Sequence, residues 1–185
     1  MQIIIDNFSI RQVAVEDAEK YFSLIDNNRA EFEVWFPGTA RGSSDLESTK
    51  EHLAKRLTQA EKKEFFLYII TENSTKKIIG GIFIKDISRE IGRGFIGYYI
   101  DKTYQGKGIG SKCVGAMIEY FFNEMKLNKI CIQAGPDNIA SQRVAEKNNF
   151  TKEGILRSEF KTYNGTLRDL IHYGLLRSEF ENFKK

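Results

Sequence analysis

Residues 98–122 read YYIDKTYQGKGIGSKCVGAMIEYFF, and this stretch holds the strongest amphipathic helix pattern in the chain. Its apolar residues recur at helical spacing, which predicts a helix over about 108–126 with one face turned toward a core. Three glycines, Gly106, Gly108 and Gly110, stand at the start of that helix. Each glycine inside a helix costs about 0.5–1 kcal/mol relative to alanine, so their presence indicates a function at this position.

The first turn of a helix offers unpaired backbone N–H groups and about half a positive charge. Glycines at that point allow a ligand to approach the backbone closely. Residues 105–110 (QGKGIG) therefore predict a seat for a phosphate or pyrophosphate, with Lys107 and Lys112 at its rim. The alternative is a flexible start to the helix with no ligand.

Two other phosphate-binding patterns do not apply to this chain. The sequence has no GxxxxGK[ST] motif, and the GxGxxG match at Gly92, Gly94 and Gly97 lies inside strand-like sequence with no helix at its end. A dinucleotide site needs a strand, a turn and a helix in succession. Glycines in a bent or bulged strand are the better interpretation of this match.

Length and composition indicate a single globular domain over residues 1–185. The net charge of +3 is too small for the clustered basic excess of nucleic-acid-binding proteins, so we expect no nucleic-acid partner. No stretch approaches 18 apolar residues, and the apolar run at the N-terminus is too short for a signal peptide, so we expect no membrane span and a cytoplasmic location. Cys113 and Cys131 lie in apolar segments without a CxxC or Cys/His cluster, which predicts buried thiols and no metal site.

The order of predicted elements indicates an α+β fold with a central mixed sheet. A strand over 8–15 precedes a helix that opens at Glu16, a short helix that gives way to a loop at Pro37, and a helix over 43–60 capped by Ser43 or Ser44. Three strands (64–72, 77–86 and 89–101) form an antiparallel meander before the long helix. The rest comprises a strand over 129–135, a helix capped by Asn138, and two extended segments joined by a turn at Asn164–Gly165.

The motif Gln105-x-x-Gly108-x-Gly110, after a strand and at the start of a helix, resembles the acetyl-CoA pyrophosphate loop of the GCN5-related N-acetyltransferases (GNAT). The likeness to the RimJ/RimL branch extends over nearly the whole chain, through Ile96–Ile100, Tyr104–Ile109, Asn138-x-x-Ser141, Phe150-x-x-Glu153-Gly154-x-x-Arg157 and Asn164-Gly165-x-x-x-Asp169. It implies a GNAT fold whose mostly antiparallel mixed sheet is splayed between its fourth and fifth strands, with helices on both faces. It also implies acetyl-CoA as cofactor and CoA as product.

The resemblance also implies which residues contact the cofactor. The strand that ends at Asp101 would part from the strand over 129–135, and the pantetheine arm would lie in the opening. The expected cofactor contacts are Tyr98, Tyr99, Ile100, Gln105, Gly106, Lys107, Gly108, Ile109, Gly110, Ser111, Asn138 and Ser141. Aromatic residues on strands are common core residues, so packing is the alternative role for the side chains of Tyr98 and Tyr99.

Catalytic roles come from the same resemblance. Ser141 would protonate the leaving thiolate, and Ala145 stands where many members of the superfamily carry a tyrosine acid. A solvated surface serine is the alternative for Ser141. Glu159 is the expected base, although the interval from Gly154 to Asn164 is one residue longer than in close relatives, and a one-residue shift turns a strand side chain to the other face. The alternatives are a water relay or one of three other side chains, Glu31, Glu33 and His172.

The acceptor site is expected beside the N-terminal helices, with Trp35 and Glu31 as substrate contacts. Trp35 is either a lid or a core residue. The favoured acceptor is a protein or peptide N-terminal amine attacked directly in a ternary complex, as for the ribosomal-protein enzymes of this branch. The alternatives are a polyamine or amine-bearing antibiotic, or a CoA-binding regulator without catalysis. A homodimer is a family-level expectation, and His52 is expected on a solvated helix face.

Overall fold

The computed structural model describes residues 1–183, which contain one sheet of eight strands. The strands are β1 (Gln2–Ile5), β2 (Phe8–Gln12), β3 (Phe66–Glu72), β4 (Ile78–Ser88), β5 (Arg93–Ile100), β6 (Lys129–Ala134), β7 (Thr151–Lys161) and β8 (Leu167–Leu176). Their order across the sheet is β1-β2-β3-β4-β5-β6-β8-β7. Every neighbouring pair is antiparallel except β5 and β6, so the sheet is mixed and mostly antiparallel, as predicted.

Helices cover both faces of this sheet. They are α1 (Ala18–Asn27), α2 (Arg29–Trp35), α3 (Pro37–Gly42), α4 (Leu46–Glu61), α5 (Ile109–Asn123), α6 (Ile139–Lys147) and α7 (Arg177–Phe183). One apolar core forms around α5, and a second forms between α1, α4 and the opposite face of β3 and β4. The expected α+β architecture, a mixed sheet with helices on both faces, is therefore confirmed. Within residues 1–183, no helix has the length and apolar character needed to cross a membrane.

The sheet opens between β5 and β6. These parallel strands pair only from Arg93 to Ile96 and from Lys129 to Ile132, and beyond those residues β5 continues to pair with β4 alone. The expected splay is thus present. It falls between the fifth and sixth strands because β1, which pairs with β2 at the sheet edge, was missed in the sequence and shifts the count by one.

The N-terminal helices depart from the sequence prediction in two places. Pro37 does not end the helical region but is the first residue of α3, where the missing proline N–H has no helical partner to lose. The N-cap of α4 is Asp45, whose Oδ1 accepts a hydrogen bond from the Ser48 N–H at 2.8 Å. Ser43 is instead fully buried. An aspartate caps as well as a serine does, so the local pattern did not distinguish them.

Other local predictions are confirmed. Asn138 is the N-cap of α6, with its Oδ1 accepting from the Ser141 N–H at 3.1 Å. The turn between β7 and β8 places Gly165 at φ +89°, a conformation that glycine adopts without a Cβ clash. Cys113 and Cys131 are both buried, and burial raises the pKa of the Cys113 thiol to about 12.

Candidate active site

A cleft of about 430 Å³ opens where β5 and β6 separate. Its walls come from the two strands, the loop before α5, the first turn of α6, and α2. The cleft brings together all the expected cofactor and substrate residues except Lys107: Glu31, Trp35, Tyr98, Tyr99, Ile100, Gln105, Gly106, Gly108, Ile109, Gly110, Ser111, Asn138 and Ser141. The Lys107 ammonium lies off the wall, where it donates to the Thr103 carbonyl at 2.9 Å.

The glycine loop presents its backbone to the cleft. Gly106 and Gly108 have φ angles of +74° and +76°, which disfavour any residue with a Cβ. A Cβ added at either position would meet no atom within 4 Å, so the space in front of this backbone is open. At Gly110 an added Cβ would contact only Ile100 Cγ1, at 3.5 Å. Open space beside unpaired N–H groups at the start of α5 fits a pyrophosphate group.

Buried polar side chains hold the start of this loop in place. The Asp101 carboxylate accepts from the N–H and hydroxyl of Thr103 at 2.9 and 2.8 Å and pairs with Lys77 at 2.8 Å. Burial opposes ionisation of Asp101, but Lys77 and Thr103 outweigh it, so the pKa of the carboxyl lies below its usual value. Asn28, the residue between α1 and α2, accepts through its Oδ1 from the Lys102 N–H at 2.9 Å. Sequence reasoning assigned no role to Asp101, since its partners are distant in sequence.

Ser141 and Tyr98 form a hydroxyl pair across the cleft. Their side-chain oxygens lie 2.9 Å apart, and the Tyr98 hydroxyl is also within 3.0 Å of the Ser141 carbonyl oxygen, to which it donates. Burial raises the pKa of Tyr98 above its usual value, so this phenol remains protonated at neutral pH. The sequence pattern indicated Ser141 but gave no signal for its pairing with Tyr98.

Tyr99 points to the opposite face of the sheet. Its hydroxyl lies 2.5 Å from that of Tyr21 on α1, and its ring packs edge-on against Phe32 and Phe36 at 4.7 and 5.2 Å. The side chain is 5% exposed. The packing alternative therefore describes the Tyr99 side chain, and only its backbone is available to a ligand in the cleft.

The structure does not bring Glu159 to the cleft. The pairing of β7 with β8 slips between Leu156 and Phe160, and within this bulge Ser158 adopts φ +54° while its N–H bonds to Asp169 Oδ1 at 2.9 Å. Glu159 is exposed and lines a separate recess, whereas Phe160 lines the cleft. The position of Glu159 therefore does not support the role of base expected for it.

Glu31 is the one acidic residue on the cleft wall within residues 1–183. Its carboxylate accepts from Gln105 Nε2 at 3.1 Å, and the same amide nitrogen donates to the Ile100 carbonyl at 3.0 Å. Three basic residues, Lys85, Arg143 and Lys147, also line the cleft. The cleft is therefore not an acidic pocket.

Trp35 closes one end of the cleft. A Cβ added at Gly135, just past β6, would lie 2.4 Å from Trp35 Cη2, so the indole rests directly on this glycine. The Arg168 guanidinium lies 4.9 Å from the ring centroid and forms an ion pair with Asp137. Trp35 is thus held between Gly135, after β6, and Arg168 of β8, and it forms a fixed wall of the cleft.

The two histidines occupy unlike environments. His52, expected on a solvated face, is partly buried beside Gly42, and burial lowers its pKa to about 4. Its neighbours on α3 were not foreseeable from the helical pattern of α4. His172 is partly buried, as the alternative to a base role anticipated, and it contacts Gln133, a cleft residue that sequence reasoning missed. The signal available for Gln133 was a lone amide that follows the apolar residues ICI in β6.

Comparison with known proteins gives a consistent result. Residues 7–151 match the family described as "Acetyltransferase (GNAT) domain". The chain is 34% identical to a probable N-acetyltransferase, YjcK, of Bacillus subtilis, over 86% of this chain and 88% of that protein. It is 29% identical to a putative ribosomal N-acetyltransferase, YdaF, of the same organism, over 97% and 96%. The solved structure of RimL, a ribosomal L7/L12 alpha-N-protein acetyltransferase in complex with coenzyme A, superposes with a TM-score of 0.87 at 21% identity, over 97% of this chain and 99% of that chain.

Proposed function

This chain belongs to the acetyltransferase (GNAT) domain family and is an N-acetyltransferase, and on that premise we propose that it transfers an acetyl group from acetyl-CoA to the N-terminal amine of a protein or peptide. The observation that carries this proposal is the opening between β5 and β6 beyond Ile96 and Ile132. That opening connects the glycine loop before α5 with the Ser141 hydroxyl.

The residues present fit acetyl-CoA. The backbone N–H groups from Gly106 to Gly110 would hold the pyrophosphate, and the free backbone edge of β5 from Tyr98 to Ile100 would hold the pantetheine arm. The Asn138 side chain, which caps α6, lies on the same wall. When bound, acetyl-CoA supplies an acetyl thioester and leaves as the CoA thiol.

Ser141 acts as the general acid. As the bond from the amine nitrogen to the acetyl carbon forms and the carbon–sulfur bond breaks, the Ser141 Oγ gives its proton to the departing sulfur. Tyr98, 2.9 Å away, accepts a hydrogen bond from the Ser141 hydroxyl while it donates its own proton to the Ser141 carbonyl oxygen, and so it holds Ser141 Oγ in place. Ser141 recovers its proton from water. The proton lost by the amine passes to water, since Glu31, the one acidic side chain on the cleft wall within residues 1–183, is engaged by Gln105.

The charges on the cleft wall favour a singly charged amine as acceptor. A polyamine carries several positive charges, and its binding is favoured by several carboxylates. Within the described residues the cleft wall offers one acidic side chain against three basic ones. Relatives named as ribosomal N-acetyltransferases support the same choice, and a ribosomal acceptor would place the reaction in the cytoplasm.

The test is release of free thiol from acetyl-CoA against a panel of amines, with acetyl-CoA binding measured in parallel by calorimetry. The panel holds peptides that begin with Ser, Ala or Met, the same peptides with blocked N-termini, spermidine and an aminoglycoside. We expect release with free N-terminal peptides and none with their blocked forms. Release with spermidine alone would overturn the acceptor assignment, and binding without any release would indicate a CoA-binding regulator.

A further inference from the structure

Gln133 occupies the point at which the sheet opens. The last paired residues of β5 and β6 are Ile96 and Ile132, and Gln133 is the next residue of β6. Its neighbour on β5 is Gly97, where an added Cβ would lie 2.2 Å from the Phe83 ring. The Phe83 ring therefore covers Gly97, and at this position β5 places no side chain of its own beside the Gln133 amide.

The Gln133 side chain projects to the face of the sheet opposite Ser141. Side chains alternate along a strand, and Phe95 pairs with Cys131, so Phe95 and Gln133 share one face. Tyr98, which contacts Ser141, lies on the other. An incoming amine and a departing thiol need separate positions around one carbonyl carbon, and these two faces provide them.

His172 fixes the orientation of the Gln133 amide. The two residues are directly opposite each other in the β6–β8 pairing, and their Nε2 atoms lie 2.8 Å apart. The imidazole is held from the side by the Phe95 ring, edge-on at 6.0 Å. With the amide nitrogen donating to the imidazole, the amide oxygen has no hydrogen-bond partner among residues 1–183 and is left to accept one from a ligand.

From this geometry, and resting on the proposed acetyltransferase function, we infer that Gln133 binds the acceptor amine. Its amide oxygen accepts an N–H of the amine on the face opposite Ser141, and His172 is a positioning residue that keeps this oxygen turned toward the opening. A neutral amide suits an amine that must be uncharged when it attacks, since a carboxylate at this point would stabilise the ammonium form.

The experiment compares steady-state kinetics of the full chain and its variants on the best peptide of the amine panel. Gln133→Met keeps the side-chain length but removes the acceptor oxygen, and we expect the KM for the peptide to rise about tenfold, as for the loss of one hydrogen bond. The Kd for acetyl-CoA should stay within about threefold. His172→Phe should give a smaller rise in the same KM, and His172→Gln, which can still accept from the amide, should restore most of it.

Gln12→Met is the matched control, because it makes the same change at an exposed position of β2 and should leave all constants unchanged. An unchanged peptide KM in Gln133→Met would overturn the inference while the wild-type turnover upholds the proposed function. If Gln133→Met weakened acetyl-CoA binding as much as it raised the peptide KM, Gln133 would be a cofactor contact, and the inference would also be overturned. Absence of turnover in the wild-type chain would overturn the proposed function and this inference together.

Discussion

The Tyr98 and Ser141 hydroxyl oxygens lie 2.9 Å apart, and the two residues come from β5 and α6, on either side of the opening in the sheet. Because the Tyr98 phenol also contacts the Ser141 carbonyl oxygen, the pair ties the first turn of α6 to the free edge of β5. The proposed acid is therefore a two-residue unit.

Ser141→Ala should lower kcat about tenfold or more, since general acid catalysis contributes on this scale, while acetyl-CoA affinity changes by only a few-fold. Tyr98→Phe should give a smaller loss of kcat. The double variant should lose less than the product of the two single effects, because both changes act on one hydrogen-bonded pair. Stopped-flow thiol release and calorimetry measure the two quantities separately. A collapse of affinity with normal turnover of the bound enzyme would make Ser141 a binding residue instead.

Gly110→Ala should change stability and affinity in opposite directions. Gly110 is the second residue of α5, so alanine should stabilise the helix by up to about 1 kcal/mol. The added methyl group would contact only Ile100 within the protein but would stand in the open space before the loop. We therefore expect a higher Tm and weaker acetyl-CoA binding. Gly115→Ala is not a suitable control because its Cβ would meet Asn148 Oδ1 at 2.8 Å. Asn123→Ala, at the exposed last residue of α5, raises helix propensity away from the cleft and serves instead. A Gly110→Ala variant with unimpaired acetyl-CoA binding would contradict the role of the glycine loop in holding the pyrophosphate.

Much of the fold was readable from the sequence because it depends on local patterns. The helical period of α5, the cap at Asn138 and the meander of β3, β4 and β5 all rest on residues close together in the chain. The glycine loop could be located for the same reason, since its signal lies within six residues. The separation of β5 from β6 was predicted from the resemblance to the family.

What could not be predicted depends on strand register and distant partners. Glu159 lies outside the cleft, within a bulge of β7 between Leu156 and Phe160, and the sequence does not show where such a bulge falls. The proposed role of Gln133 depends on its contact with His172, 39 residues away, and on its position beside Gly97 of β5, and neither neighbour can be identified from the local sequence. The edge strand β1 is too short for its alternation to be distinguished from a stray apolar run.

Asp101→Ala should weaken both the fold and the loop. It removes the acceptor for Thr103 and leaves Lys77 without its partner, and the loss of a buried capping carboxylate costs about 1–3 kcal/mol. Acetyl-CoA affinity should fall because the chain from Lys102 to Gly106 is no longer held. Lys77→Met is the comparison variant: it removes one of three side-chain and backbone contacts of the buried Asp101 carboxylate and keeps both contacts to Thr103, so it should cost less than Asp101→Ala. Equal stability and affinity in Asp101→Ala and wild type, by urea unfolding and calorimetry, would contradict this role.

His52 should make the folded state sensitive to mild acid. Burial, reinforced by the charges of Arg56 and Lys55, lowers its pKa from 6.5 to about 4. Between these two values the unfolded chain binds a proton that the folded chain does not, so stability falls as the pH is lowered from about 6.5 toward 4. The loss of folding stability should approach roughly 3 kcal/mol at the acid end of this window. His52→Gln should flatten that part of the curve, which urea unfolding at pH 7, 5.5 and 4.5 would show. If the wild-type and His52→Gln curves ran parallel, the imidazole would have to be protonated without cost in the folded chain.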